Sequence, residues 1–295
     1  MPPAPAPPRD AVALAFSPDS DDIFMFWPLL AGKVDPEGLT FEAVRADTEA
    51  LNARVGRTEL DVCAVSIARW PGIAKDYLLL PHGMSVGRGY GPVVVASPLA
   101  GPATLASLEG KRVGVPGLRT TAAMTLRLLA PRFEPVVVPI APYARVFEAL
   151  RAGEVDAALL IHEGRLTFER EGMAKVVDLG EAWAEATGGL PLPLGANAIR
   201  RGLGEALVAK VSRLCRASIG WALAHRDEVM TALLAAETRT DVGLDRAMLD
   251  RYLAMYANAD TLDAPADVRR AIDELYARAH AAGLLDAPIR AEFAP

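Results

Sequence analysis

The strongest constraint on the fold is a pattern the chain uses twice: a short apolar run of strand type, a turn of Ser, Thr, Asp, Pro or Gly, then a helix start. In the first set, residues 11–16 read as a strand and Ser17-Pro18-Asp19-Ser20-Asp21-Asp22 as a turn rich in capping residues. Residues 23–30 follow as a helix shortened or bent near Pro28. Residues 39–44 read as a second strand, 48–55 as a helix with Thr48 near its cap, and 59–67 as a buried strand that ends on Ser66 and Ile67. A second set begins after the turn-forming stretch Ser97-Pro98-Leu99-Ala100-Gly101-Pro102. It has strands at 111–115, 136–140 and 155–161 and helices at 120–129 and 143–152. Such alternation predicts mainly parallel sheets covered by helices.

From about residue 203 onward the pattern turns helical, with helices expected over 205–224, 226–236, 244–256 and 264–282. Leu207, Val211, Leu214 and Ile219 recur near helical spacing as a packing face. Residues 91–96 lead out of the first set and 193–199 lead back after the second, which predicts paired crossovers and a cleft between two lobes. The expected organisation is a disordered Pro-rich lead over 1–10, a discontinuous first lobe of 11–96 plus 197–295, and an inserted second lobe of 97–196. The stretches Gly56 to Val62 and Arg151 to Ala157 echo each other weakly, each placing a helix end, a turn and an acidic residue before a buried strand.

The chain's 295 residues exceed the usual single-domain size of about 100 to 200, which agrees with two lobes. A net charge of -6 without a compact basic block argues against a nucleic-acid surface. Cys63 and Cys215 stand far apart, with no paired-cysteine or Cys/His spacing, so neither a disulfide framework nor a zinc site is expected. MPPAPAPPRD lacks the apolar core of a secretory signal, and no window offers about 18 uninterrupted apolar residues for a membrane span. A cytoplasmic protein without membrane insertion is the expectation.

Open α/β sheets hold ligands beyond the carboxyl ends of their strands, and three polar clusters fall there. The run from Val155 to Ile161 ends in His162-Glu163, and a lone imidazole at a strand end suits proton transfer, although such a residue also serves simply to bond a nearby carbonyl. Thr120-Thr121 opens a helix whose free backbone donors suit a carboxylate, its plain alternative being an ordinary N-cap. Ser66 ends another strand, and Ser17 to Asp22 follows the first. Glu163, next to His162 on what reads as strand, is expected to face away and serve structure. Trp27 and Trp70 are candidates for stacking beneath a ligand or for core packing, His82 for a loop or lobe contact, and His225 and His280 for surface or capping roles.

Taken in order, Ser17-Pro18 with Asp22 and Phe24, Gly87-Arg88-Gly89-Tyr90-Gly91-Pro92, Pro116-Gly117 followed by Thr120-Thr121, Ile161-His162-Glu163 and Gly189-Leu190-Pro191-Leu192-Pro193-Leu194-Gly195 resemble the 1,4-dihydroxy-6-naphthoate synthase family of the futalosine route to menaquinone. The resemblance spans about Val12 to Leu285. It implies an α/β, two-lobed fold like that of periplasmic binding proteins, with the discontinuous first lobe, inserted second lobe and helical C-terminal segment described above. It also implies a carbon-carbon lyase that converts cyclic dehypoxanthinyl futalosine, a small-molecule carboxylate, into 1,4-dihydroxy-6-naphthoate and a three-carbon fragment, with no metal or redox cofactor. Carried over by position, His162 is the proton acceptor, Ala64, Val65 and Ser66 form one substrate-contact segment, Thr120 and Thr121 another, and Asp22 is a further substrate contact.

Two departures stand out. Asp19-Ser20-Asp21-Asp22-Ile23 replaces the Cys-Pro-Asn-Asp-Thr usual in relatives, and Ala64 stands where a Lys is common. Both make the pocket more acidic, so a homologue with an altered substrate is a real alternative, with Arg88 and Arg119 as candidate compensating cations. The same architecture also serves solute-binding proteins, which do no chemistry, and chorismate dehydratase of the same route. The missing signal and His162 favour an enzyme, and the Thr120-Thr121 and His162-Glu163 signatures favour the naphthoate synthase.

Overall fold

The computed structural model describes residues 10–99, 101–236 and 243–295. The expected lead, apart from Asp10, and Ala100 of the expected boundary turn lie outside them. β1 (Ala11–Phe16) is buried throughout its second half and leads to α1 (Ser20–Leu30), which starts three residues earlier than the sequence pattern suggests and contains Pro28. β2 (Thr40–Arg45) pairs in parallel with β1, and α2 (Thr48–Arg54) returns the chain to β3 (Val62–Ser66) on the other side. Asp47 caps α2, its Oδ1 accepting from the Ala50 amide at 2.9 Å and satisfying one of the donors a helix start leaves open.

Two three-residue strands, β4 (Tyr77–Leu79) and β5 (Ser85–Gly87), follow. The chain then enters a second sheet as β6 (Val93–Ala96) and β7 (Arg112–Val115), continuing through α3 (Thr121–Leu129), β8 (Glu134–Val137), α4 (Ala144–Arg151), β9 (Ala157–Leu160), β10 (Ala174–Asp178) and α5 (Leu179–Thr187). It returns as β11 (Leu192–Arg200). The first sheet has the order β2-β1-β3-β11-β4 with β5 also on β11, and the second has the order β10-β6-β9-β7-β8.

The expectation of mainly parallel sheets is corrected. Among these strands parallel pairing is confined to β2-β1-β3 and to β8-β7-β9, whereas β11 runs antiparallel to β3, β4 and β5, and β6 runs antiparallel to β9 and β10. The reason is topological: parallel neighbours need a crossover, usually a helix, whereas a strand arriving from the other sheet is free to run against its neighbours. The chain changes sheet before the expected boundaries at 96/97 and 196/197. Val93–Ala96 already pair in the second sheet, and Leu192 to Ala196 already belong to a strand of the first.

The C-terminal part is helical: α6 (Glu205–Ala224), α7 (Arg226–Ala235), α8 (Arg246–Tyr256), α9 (Ala259–Leu262) and α10 (Ala266–Ala281). α6 packs on α1 through the expected face, with Val211, Leu214 and Ile219 buried and Leu207 at its margin. Trp70 is fully buried, stacked on Tyr276 of α10 with ring centroids 6.1 Å apart. Trp27 packs against Trp221. Both indoles therefore do packing work. Cys63 and Cys215 are free thiols in the core, and burial pushes Cys215 up to about 12.

His82 is buried, and that burial pushes its imidazole down to about 4 from the ordinary 6.5, with Asp263 opposing the shift. A folded value below the unfolded one means that the folded state favours the neutral ring. The stability this confers is complete above about 6.5 and is lost as pH falls toward 4, by about 3 kcal/mol. Urea unfolding at pH 7 and pH 4.5 is expected to show this loss in the parent and a smaller one in His82→Gln; equal slopes with pH would count against it.

Candidate active site

One cavity lies where the strand ends of the two sheets face each other. Its walls include Ala64, Val65 and Ser66 from the end of β3, Thr120 and Thr121 from the start of α3, His162 from the end of β9, and Asp22 from α1. All seven residues singled out from the sequence thus meet at one place. Leu194, Gly195 and Ala196 of β11 add an apolar side, and Tyr252 and Tyr256 of α8 close another.

His162 owes its position to a sharp break in the backbone. The strand runs extended through Ile161, then His162 takes φ +50°, a left-handed conformation that a residue with a Cβ adopts at a cost. The turn is buttressed by Tyr143, whose hydroxyl donates to the Ile161 carbonyl at 2.6 Å. The Tyr143 ring leaves no room at Gly164, where an added Cβ would lie 2.3 Å from it. The imidazole Nε2 then sits 3.2 Å from Thr48 Oγ1 and 3.3 Å from Asp19 Oδ2, and Nδ1 sits 3.5 Å from the Tyr252 hydroxyl.

Glu163 is not on a strand, so the expectation that it faces away as a strand neighbour is corrected. It belongs to a 3-10 turn (His162–Leu166) and is fully buried, with its Oε1 accepting from the Ser20 amide at 3.0 Å and the Ser20 hydroxyl at 2.6 Å. Two adjacent residues of one loop, His162 and Glu163, therefore clasp two adjacent residues of the other, Asp19 and Ser20. Asp21 accepts from the Tyr252 hydroxyl at 2.9 Å and the Ser85 hydroxyl at 2.7 Å.

The wall around His162 is acidic. Burial pushes the Asp21 carboxyl upward, the His162 charge pulls it back and Asp19 adds to the rise. Burial, with Asp21 next to it, holds Asp22 well above the usual carboxylate range. Burial and the facing carboxylates of Asp21 and Glu163 likewise keep the Tyr252 phenol protonated as a donor.

On the opposite wall Ser66 is fixed by Asn52, whose Oδ1 accepts from the Ser66 amide and whose Nδ2 donates to the Ser66 hydroxyl, both at 3.0 Å. With an acceptor site of Ser66 Oγ occupied, its own O–H is free to turn toward a ligand oxygen. Thr120 does cap α3, accepting from the Ala123 amide and donating to the Gly117 carbonyl. Thr121 donates to the Leu194 carbonyl at 2.6 Å and so ties α3 to β11.

A family model described as menaquinone biosynthesis matches residues 12–281. The chain belongs to the menaquinone-biosynthesis family. It is 40% identical over 275 residues to a 1,4-dihydroxy-6-naphthoate synthase of Thermus thermophilus, covering 93% of this chain and 96% of the relative. It is 36% identical over 281 residues to one of Streptomyces coelicolor, covering 94% and 96%. A crystal structure of an Archaeoglobus fulgidus protein, 40% identical, superposes with a TM-score of 0.84 over 94% of this chain and 99% of that one. The alkanesulfonate-binding protein of Xanthomonas axonopodis superposes at 0.71 over 96% and 97% with 16% identity, which shows the periplasmic-binding-protein fold.

The expected compensating cations are corrected. Arg119 pairs with Glu49 of α2 at 2.9 Å, and Arg88 is held by Asp260 and Asp267 at 2.7 and 2.8 Å. Among the described residues the cavity wall holds no Lys or Arg. Sequence reading also missed Tyr252, Ser85 and Asn52 as partners in the site. Tyr252 lies on a helix whose apolar spacing reads as core, and nothing local marks its hydroxyl. His225 and His280 lie outside, each with Nδ1 near a backbone carbonyl, of Trp221 and Leu285 respectively.

Proposed function

We propose that this protein is a carbon-carbon lyase of menaquinone biosynthesis by the futalosine route. It would form 1,4-dihydroxy-6-naphthoate from cyclic dehypoxanthinyl futalosine with release of a three-carbon fragment. The observation that carries the reading is the imidazole of His162, poised in a cavity opposite hydroxyl-bearing loops, in a chain about 40% identical to a synthase of that name. In this reading two lobes, a discontinuous one and an inserted one, close on the substrate, and the reaction takes place in the cytoplasm. His162 takes a proton from the substrate, and the electron pair left behind drives cleavage of the carbon-carbon bond and aromatisation of the ring system. A base held in position supplies about 10² to 10⁴ of the rate, with orientation between the walls adding the rest.

Ala64, Val65 and Ser66 bear on one side of the substrate, and Thr120 and Thr121 on another. The substrate carboxylate belongs at the α3 end, where main-chain donors of a helix start collect, rather than against the aspartates. Asp22 contacts the substrate as a carboxyl whose charge is softened by its raised proton affinity. The test is turnover of cyclic dehypoxanthinyl futalosine by the purified protein, with naphthoate followed by absorbance. Formation of the naphthoate is the expected result. Absence of turnover combined with tight binding of an unrelated solute would replace the enzyme by a receptor.

A further inference from the structure

We propose that Asp19 is the positioning residue of His162: its carboxylate lies against Nε2, holds the ring in place and balances the imidazolium that forms. The inference rests on the lyase reading for its chemistry but on separate geometry for its assignment. Asp19 occupies the N-cap position of α1 with extended backbone, φ -71° and ψ 149°, yet its side chain makes no capping bond to that helix. An Asp there would ordinarily satisfy a free helix amide. Here Oδ2 lies instead 3.3 Å from His162 Nε2, and the Asp19 side chain is 3% exposed, so little water screens the pair.

The other charged and titratable groups facing the imidazole have their own partners. Glu163 accepts from Ser20, Asp22 from the Ser17 amide at 2.8 Å, and Asp21 from Tyr252 and Ser85. Tyr252, donating to Asp21, turns its oxygen and not its proton toward Nδ1, so both ring nitrogens face acceptor oxygens, an arrangement that suits the imidazolium. Thr48 adds a second polar contact at Nε2. In the reaction the substrate's proton moves to the imidazole and the bonding pair stays on the substrate. The positive charge on the ring then lies against a carboxylate already in place.

The test compares Asp19→Asn and Asp19→Glu with the parent. An amide still accepts from Nε2 but carries no charge. Asp19→Asn is therefore expected to lower kcat by about 10- to 10²-fold and to move the acid limb of kcat/KM about one pH unit lower, since a nearby anion favours the protonated ring. Asp19→Glu should restore part of kcat and keep the limb near the parent's. In parallel, NMR titration of His162 without substrate, one of only four histidines, should show the same downward displacement in Asp19→Asn. An unchanged acid limb and an unchanged NMR titration would overturn the proposal. Absence of turnover in the parent would remove the lyase reading, while the NMR displacement would still decide the Asp19–His162 pairing. Should Asp19→Asn fail to fold, the Asp19→Glu limb and titration decide it, and a downward shift there would count against the pairing.

Discussion

Replacing His162 by asparagine or alanine is expected to lower kcat by about 10² to 10⁴-fold while the protein stays folded. Asparagine is the sharper variant, because residue 162 sits at φ +50° and Asn tolerates that region better than most side chains. The imidazole side chain is 19% exposed, and its contacts to Asp19, Thr48 and Tyr252 are polar rather than part of the apolar core, so its removal takes away a base rather than an apolar packing element. Thermal melting within a few degrees of the parent, together with the kinetic loss, would separate chemistry from stability. Imidazole added to His162→Ala should recover part of the rate, since the variant leaves room for it. Turnover equal to the parent's in both variants would take His162 out of the reaction.

The largest expected effect on stability comes from Gly180→Ala. A Cβ at this position would lie 2.0 Å from both the carbonyl carbon and oxygen of Tyr90 and 2.7 Å from the Gly91 amide nitrogen. These are main-chain atoms of the segment by which the chain passes from the first sheet to the second, so they cannot swing aside as a flexible side chain could. The start of α5 is also fixed: Asp178 Oδ1 accepts from the Gly180 amide at 2.8 Å, the Leu179 amide donates to the Pro92 carbonyl at 2.8 Å, and Asp178 is paired with Arg165. Relief of the clash must break one of these. The expected cost is about 3 kcal/mol or more, read as a fall of roughly 5 °C or more in Tm. An unchanged melt would mean that the segment and the helix start move apart freely.

Where local chemistry decides an element, the sequence reads well. β1 falls at its expected bounds and so does α6, because one is an isolated apolar run between turns and the other a long amphipathic repeat with Gly204 before it. β4 and β5 escaped, since three residues are too few to show alternation, and their pairing with β11 is set by tertiary context. Strand direction escaped for the same reason: nothing in Val93–Ala96 or Leu192–Arg200 states which way a neighbour runs.

In the site, residues at strand ends and helix starts were legible because α/β geometry gathers such positions. Partners were not. Tyr252 lies 90 residues from His162, and the carboxylates that hold Arg88, Asp260 and Asp267, lie more than 170 residues from it, so proximity in sequence pointed the two arginines at the wrong job.

The double clasp of Asp19 and Ser20 with His162 and Glu163 has a bearing on how such a chain can drift over time. Surface loops ordinarily absorb insertions and deletions. Here one residue gained or lost in either loop would slide both contacts out of step together, so these two short segments can change in kind but not in length.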